Sequence, residues 1–120
     1  MTRHENLDRL YVATLTPYKE GTLEIDEQAL RSSLRYFMQP KFVDAGGAVV
    51  INPEAGEVFY TTREEKRRTM EIAMEECGDK VPVFAGIWAA TTAERVAHAK
   101  DAKSVGVDGL FLMPPSGAGD

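Results

Sequence analysis

Four apolar runs alternate with three amphipathic stretches along the chain. The runs are rich in β-branched and aromatic residues, are typical of buried strands, and cover residues 10–15, 48–51, 81–87 and 109–113. Between them, apolar residues recur at helical spacing from Asp26 to Pro40, from about Arg63 to Glu76 and from Thr92 to Val105. The pattern predicts the order β-α-β-α-β-α-β, with strand ends about thirty residues apart, the size of one βα unit.

Local signals mark the helix ends. Asp26 is the predicted N-cap of the first helix, Pro40 ends that helix, and residues 41–47 are predicted to connect it to the next strand. Thr62 begins the second helix in a Thr-x-x-Glu capping box, and Thr91 begins the third in another. The second helix is predicted to bury Met70, Ile72, Ala73 and Met74 and to expose its charged run 64–68, which includes Lys66.

The strands read as continuous apolar runs, which is typical of a parallel sheet buried on both faces. Two architectures fit this pattern: an open doubly wound sheet, or the first half of a (β/α)8 barrel. A complete barrel of this kind needs roughly 250 residues. The chain has 120 residues, which is less than half of that length.

Composition and charge narrow the classes of partner. The net charge of -5 argues against a nucleic acid or an anionic membrane as partner. Cys77 is the one cysteine, so no intrachain disulfide can form, which is compatible with a reducing cytosol. The first nine residues are polar and lack the apolar segment of a signal peptide, and no apolar run reaches the length of a membrane span. We expect a cytoplasmic protein without a membrane or nucleic-acid partner.

The polar turn after the second strand is the candidate binding site, because ligands of α/β proteins bind at the carboxyl ends of parallel strands. Together with a threonine after the first strand, the candidate substrate-binding residues are Thr16, Asn52, Glu54, Ala55, Gly56 and Glu57.

Each polar candidate also has a structural reading. Glu54 is either a site residue or a solvated carboxylate, whereas for Glu57 a structural bond between its carboxylate and backbone amides is favoured. Asn52 either contacts a ligand or braces the turn through its own backbone. Thr16 either forms part of a pocket floor or donates its hydroxyl to the backbone.

Other chemistry-bearing residues lack suitable partners in the sequence. For Trp88, packing is favoured over a role in covering substrate. His4 and His98 have no partners at metal-ligand spacing, so we expect no metal site. Cys77 has no neighbouring histidine in the sequence and is not expected to be a nucleophile. No phosphate-binding loop or dinucleotide fingerprint is present.

Five motifs occur in a fixed order. They are Ala13-x-x-Thr16-Pro17-Tyr18; Ile25-Asp26; Gly56-Glu57 followed by Thr61-Thr62-x-Glu64-Glu65-Lys66-Arg67; Val81-Pro82-Val83-x-Ala85-Gly86; and Thr91-Thr92-x-Glu94 followed by Gly106-Val107-Asp108-Gly109. Their order and spacing resemble the N-terminal part of the pyruvate-type class I aldolases, the family of dihydrodipicolinate synthase and N-acetylneuraminate lyase. The resemblance implies that residues 1–120 are a partial (β/α)8 barrel domain, β1-α1-β2-α2-β3-α3-β4, truncated after strand four.

The resemblance also marks two departures from the family pattern. The family's turn after strand two reads Gly-Thr-Thr-Gly-Glu and holds the substrate's carboxylate, whereas this chain has Pro53-Glu54-Ala55-Gly56-Glu57. Both hydroxyls are absent, and an ionised Glu54 would repel a substrate carboxylate unless a cation or proton intervened. After strand four the family has Pro-Tyr-Tyr with a relay phenol, and this chain has Pro114-Pro115-Ser116.

The family's catalytic groups lie further along the chain. A lysine on strand six forms a Schiff base with the substrate ketone, and a tyrosine on strand five assists proton transfer. The resemblance places both beyond Asp120. The lysines present fall on predicted loops or polar helix faces; they are Lys19, Lys41, Lys66, Lys80, Lys100 and Lys103.

We therefore expect a fragment of a class I lyase or aldolase, with no catalytic residue among residues 1–120. The parent would act on a small-molecule 2-keto acid or related carbonyl compound, without a cofactor, as a homo-oligomer. The alternative from another class is a non-catalytic α/β interaction module that dimerises to complete its core.

Overall fold

The computed structural model describes residues 7–114, so the predicted loop at residues 115–120 and His4 lie outside the described residues. Four strands occur in this range: β1 (Leu10–Ala13), β2 (Gly47–Ile51), β3 (Val83–Ile87) and β4 (Gly109–Leu112). They form one sheet in the order β1-β2-β3-β4, and every neighbouring pair is parallel. The predicted parallel sheet is confirmed.

Four α-helices connect the strands: α1 (Glu27–Phe37), α2 (Pro40–Asp44), α3 (Arg63–Cys77) and α4 (Thr92–Val105). A single turn of 3-10 helix, Glu54–Gly56, follows β2. Three helix starts agree with the sequence signals, because Asp26, Thr62 and Thr91 each accept a hydrogen bond from a backbone N–H of the first turn. At Thr62 the capping box is complete, since the Glu65 carboxylate also accepts from the Thr62 backbone N–H at 2.8 Å.

The predicted connector at residues 41–47 is wrong, because α2 occupies most of it. Pro40 ends α1 as expected, yet it also begins α2, where a proline at the first turn loses no hydrogen bond and its fixed φ suits a helix. Phe42 and Val43 of this short helix pack against the hydrophobic core. A proline that ends one helix can thus begin the next.

The helices α1, α2, α3 and α4 lie on one face of the sheet. The main core joins residues of α1, α3 and α4 to the outward-facing residues of the strands, among them Val49, Ile51, Val83, Ala85 and Ile87. The alternate strand residues Ala48, Val50 and Phe84 form a separate cluster on the opposite face. An open doubly wound sheet has helices on both faces, whereas a barrel has them only outside. The fold is the N-terminal half of a (β/α)8 barrel.

The prediction that every strand is buried on both faces is correct for β2 and β3 and wrong for β1 and β4. All residues of β2 and β3 are buried. By contrast, Leu10 is 57% exposed, Phe111 48% and Leu112 65%. The reason is positional, since β1 and β4 each have only one neighbouring strand in the described sheet.

The prediction that Lys66 faces water is also wrong. Lys66 is only 5% exposed, and its ammonium donates a hydrogen bond to the Thr61 carbonyl. Lys66 shares the inner side of α3 with Met70, Ala73 and Cys77, which follow it at helical spacing. Burial lowers the pKa of the Lys66 ammonium.

Candidate functional site

The turn after β2 contains two residues in the left-handed backbone conformation. Asn52 has φ 56° and Glu57 has φ 69°, and the 3-10 turn Glu54–Gly56 lies between them. Asparagine is among the few residues that adopt the left-handed region at modest cost. The polypeptide is thereby folded back at the carboxyl end of β2, where barrel enzymes bind substrate.

The Asn52 side chain fixes this turn to α3. It is 1% exposed, its amide nitrogen donates to the Lys66 carbonyl at 3.1 Å, and its oxygen accepts from the Thr69 hydroxyl at 2.7 Å. A buried carboxamide with both ends bonded holds a single orientation. Asn52 therefore braces the turn through the neighbouring helix, not through its own backbone.

Two threonine hydroxyls connect the segment after β1 to β2 and to the same turn. Thr14 donates to the Val50 carbonyl at 3.1 Å, and Thr16 donates to the Gly56 carbonyl at 2.6 Å. Gly56 is buried here, and a Cβ added to it would come within 2.8 Å of the Thr14 carbonyl oxygen. The turn is thus joined to the segment after β1 by backbone-directed bonds.

β3 supports the turn from its other side. A Cβ added at Gly86 would lie 1.7 Å from the Asn52 carbonyl oxygen, a distance that no side chain could occupy. Glycine at this position lets β3 pass directly against the backbone of the turn. The turn is consequently held by β1, β3 and α3 together.

A concave groove of about 570 Å³ opens on the inner face of the sheet beside this turn. Its walls come from β1, β2, the turn and the end of β4; the lining residues are Tyr11, Ala13, Val50, Pro53, Glu54, Ala55, Phe111 and Met113. Tyr11 packs edge-on against Phe84 with ring centroids 5.4 Å apart. The groove is therefore mostly apolar, with one carboxylate at its rim.

The structure separates the sequence candidates into two groups. Glu54 and Ala55 line the groove, whereas Thr16, Asn52 and Gly56 hold the turn and do not line it. Glu57 lines a second concavity of about 590 Å³ with Tyr18, Leu23, Tyr60 and Glu65. Partial burial, and then the charges of Glu57 and Glu65, raise the pKa of Tyr18.

The groove residues Tyr11, Ala13, Val50, Phe111 and Met113 were missed by the sequence reasoning. The sequence carried part of this information, because alternate residues of a strand face the same side of a sheet. In the structure, Ala13 pairs with Val50 in the parallel register. The strand register that brings these positions together is not encoded in any one strand.

Three other residues singled out in the sequence lie away from the groove. Trp88 packs edge-on against Phe59 with ring centroids 5.2 Å apart. Cys77 is buried, and that burial raises the pKa of its thiol to about 12. Burial, followed by the nearby charges of Lys66 and Arg63, lowers the pKa of His98.

The part of the chain that the structure describes contains neither a candidate metal site nor a candidate membrane-spanning helix. Within residues 7–114, no three or more histidine, cysteine or acidic side chains are grouped so that they could hold a metal ion. Among the helices of the same range, none is both long enough and apolar enough to cross a bilayer.

The fold and the groove define the class of this chain: a half barrel with helices outside and a concave apolar groove beside the turn after β2. Residues 6–116 match the model of the dihydrodipicolinate synthetase family. The chain belongs to that family and corresponds to the N-terminal part of its members.

Individual relatives agree with this assignment. The chain is 38% identical over 104 residues to a 4-hydroxy-tetrahydrodipicolinate synthase of Campylobacter jejuni, covering 86% of this chain and 33% of the relative. It is 31% identical over 106 residues to the enzyme of the same name from Pelobacter propionicus, covering 87% of this chain and 34% of the relative. The chain thus spans about a third of the length of the curated relatives it matches.

Solved structures give the same result. The crystal structure of dihydrodipicolinate synthase from Aquifex aeolicus superposes with a TM-score of 0.74 at 34% identity. The superposition covers 88% of this chain and 34% of that chain. The half barrel described above therefore matches one part of a larger enzyme structure.

Proposed function

We propose that residues 1–120 form one wall of the active site of a Schiff-base lyase or aldolase that acts on a 2-keto acid or related carbonyl compound. The observation that carries the proposal is the groove beside the β2 turn, in a chain of the dihydrodipicolinate synthetase family. In this reading Glu54 and Ala55 contact substrate. Thr16, Asn52, Gly56 and Glu57 keep the turn in the shape that presents them.

The chemistry proposed for the parent needs an amine that this wall does not supply. A lysine amine adds to the substrate carbonyl, water leaves, and the resulting imine accepts the electron pair released when a bond next to it breaks. Among the described residues that line the groove, none is a lysine. Lys66 is buried on the inner side of α3, donates to the Thr61 carbonyl, and does not line the groove. We therefore assign the imine-forming lysine and its proton-relay tyrosine to positions outside residues 1–120, with no cofactor.

We also propose that further βα units complete the barrel around this groove. The exposed Leu110, Phe111 and Leu112 of β4 support this, because an unpaired apolar strand invites another strand and a covering helix. Nothing in the comparisons supports the alternative of a non-catalytic module that dimerises, so we do not propose it. A cytoplasmic homo-oligomer remains our expectation for the parent protein.

Borohydride trapping tests the proposed chemistry. The intact protein that carries these residues is incubated with a carbonyl substrate and borohydride, and the adduct is located by peptide mass spectrometry. We expect a reduced imine on a lysine outside residues 1–120, and no added mass when the 120-residue chain is treated alone with pyruvate. An adduct on a lysine of this chain, or none in the intact protein, contradicts the proposal.

A further inference from the structure

The charge of the groove is set by one residue. Among the described side chains that line it, Glu54 is the only carboxylate and none is a lysine, arginine or histidine. Three of the described arginines form ion pairs on the helical side of the sheet, where Arg31 and Arg35 bind Glu76 and Arg63 binds Asp101. A negative group entering the groove therefore meets a carboxylate with no described lining cation to offset it.

The side-chain hydroxyls near the groove are already used as donors. The Tyr11 hydroxyl donates to the Leu7 carbonyl at 2.7 Å. The Thr14 and Thr16 hydroxyls donate to the Val50 and Gly56 carbonyls. Pro53, at the start of the turn, has no N–H to give. The side chains of this wall consequently offer an acceptor and apolar contact, but no free hydroxyl or cation for an anion.

From this arrangement we infer that the substrate group seated beside Glu54 is a hydrogen-bond donor, a hydroxyl or an ammonium on an apolar carbon frame, and not a carboxylate. The inference rests on the proposed function and specifies the substrate class of that same groove. Glu54 accepts the donor at the rim, while Val50, Phe111 and Met113 contact the carbon frame. Glu54 is thus the specificity-determining residue of this wall.

Two carbonyl probes that differ only at this group test the inference. Pyruvate carries a carboxylate next to its ketone, and hydroxyacetone carries a hydroxymethyl group at the same position. Each is titrated against the intact protein with borohydride, and the concentration giving half-maximal adduct is measured by mass spectrometry. The same pair is run on Glu54→Gln, on Glu54→Ala as a second variant, and on Glu64→Gln as a control, since Glu64 is an exposed carboxylate on α3 that does not line the groove.

The readout is the ratio of the two half-maximal concentrations, because intrinsic carbonyl reactivity cancels between variants. A hydrogen bond to a charged acceptor corresponds to an about tenfold to hundredfold change in binding. We expect both Glu54 variants to shift the ratio toward pyruvate by about tenfold or more, and Glu64→Gln to leave it unchanged.

The possible failures are distinguishable. If neither probe forms an adduct with the intact protein, the proposed Schiff-base function is wrong, and this inference falls with it. If both probes form adducts but the ratio is the same in wild type and in the Glu54 variants, only the inference is overturned. A shift of the same size in Glu64→Gln overturns it as well, because the effect is then one of net charge and not of the groove.

Discussion

Asn52 offers the sharpest test of how the β2 turn is held. Replacement by alanine removes the hydrogen bonds to the Lys66 carbonyl and from the Thr69 hydroxyl. It also leaves alanine, which cannot form a side-chain hydrogen bond, in the left-handed backbone conformation at φ 56°. Replacement by glycine removes the same two bonds but relieves the left-handed backbone. The pair therefore separates the side-chain contribution from the backbone contribution.

The magnitudes follow from these contacts. Each of the two buried hydrogen bonds contributes about 1 kcal/mol. The Thr69 hydroxyl also lies 2.9 Å from the Lys66 carbonyl, so it retains an acceptor after Asn52 is removed. Holding alanine in the left-handed region adds about 1 kcal/mol. Asn52→Ala should thus lower the free energy of unfolding by about 3 kcal/mol, and Asn52→Gly by about 2 kcal/mol.

Urea unfolding followed by the fluorescence of Trp88, the single tryptophan, measures both variants. Glycine ordinarily destabilises a folded protein more than alanine does. A lower stability of Asn52→Ala than of Asn52→Gly would therefore show that the left-handed backbone at this position limits stability. If Asn52→Ala is as stable as Asn52→Gly, the left-handed conformation at this position does not limit stability. If both variants unfold at the wild-type midpoint, the described bonds to α3 do not hold the turn.

Three further predictions concern packing, reactivity and pH. Gly86→Ala should lower the free energy of unfolding by about 3 kcal/mol, because the new Cβ meets the Asn52 carbonyl oxygen; an unchanged urea midpoint contradicts this. Iodoacetamide at mildly alkaline pH should modify Cys77 only after urea unfolding, since burial raises its thiol pKa to about 12; rapid labelling of the folded protein contradicts this. The Arg63 guanidinium holds the pKa of Asp101 below its ordinary value, so that carboxylate stabilises the fold above about pH 3.9 and loses the effect as the pH falls through its lowered pKa. Arg63→Gln should therefore weaken the dependence of the urea midpoint on acidification, and an unaltered dependence would refute the assignment.

The elements that the sequence could predict are those encoded locally. The caps at Asp26, Thr62 and Thr91 form with neighbours three residues away, and each is present. The apolar runs of β2 and β3 are buried from both sides as expected. Such signals depend on a few adjacent residues, so tertiary contacts did not need to be known.

The elements that could not be predicted depend on the packing of distant segments. α2 forms where Pro40 had indicated only an end, because Phe42 and Val43 find apolar neighbours in the core. Lys66 is buried because it lies on the side of α3 that faces the core. Its neighbours in the sequence are charged, so the sequence alone indicated an exposed position.

The candidate site divides in the same way. The sequence placed Glu54 and Ala55 in the turn after β2, and both line the groove. The placement of Glu57 in the other concavity depends on its left-handed backbone, and the wall formed by Tyr11 and Phe111 depends on strand register. Those features follow only from the assembled sheet.

A crystal structure of the intact protein after borohydride trapping with hydroxyacetone tests the central claim most directly. The account predicts that β1 and β4 pair with further strands of a closed barrel, and that the trapped carbon lies in the groove near Glu54 and Phe111. It also predicts that the trapped carbon is joined to a lysine outside residues 1–120. A core closed by these four strands alone, or a trapped molecule bound to a lysine of this chain or seated away from the groove, would contradict it.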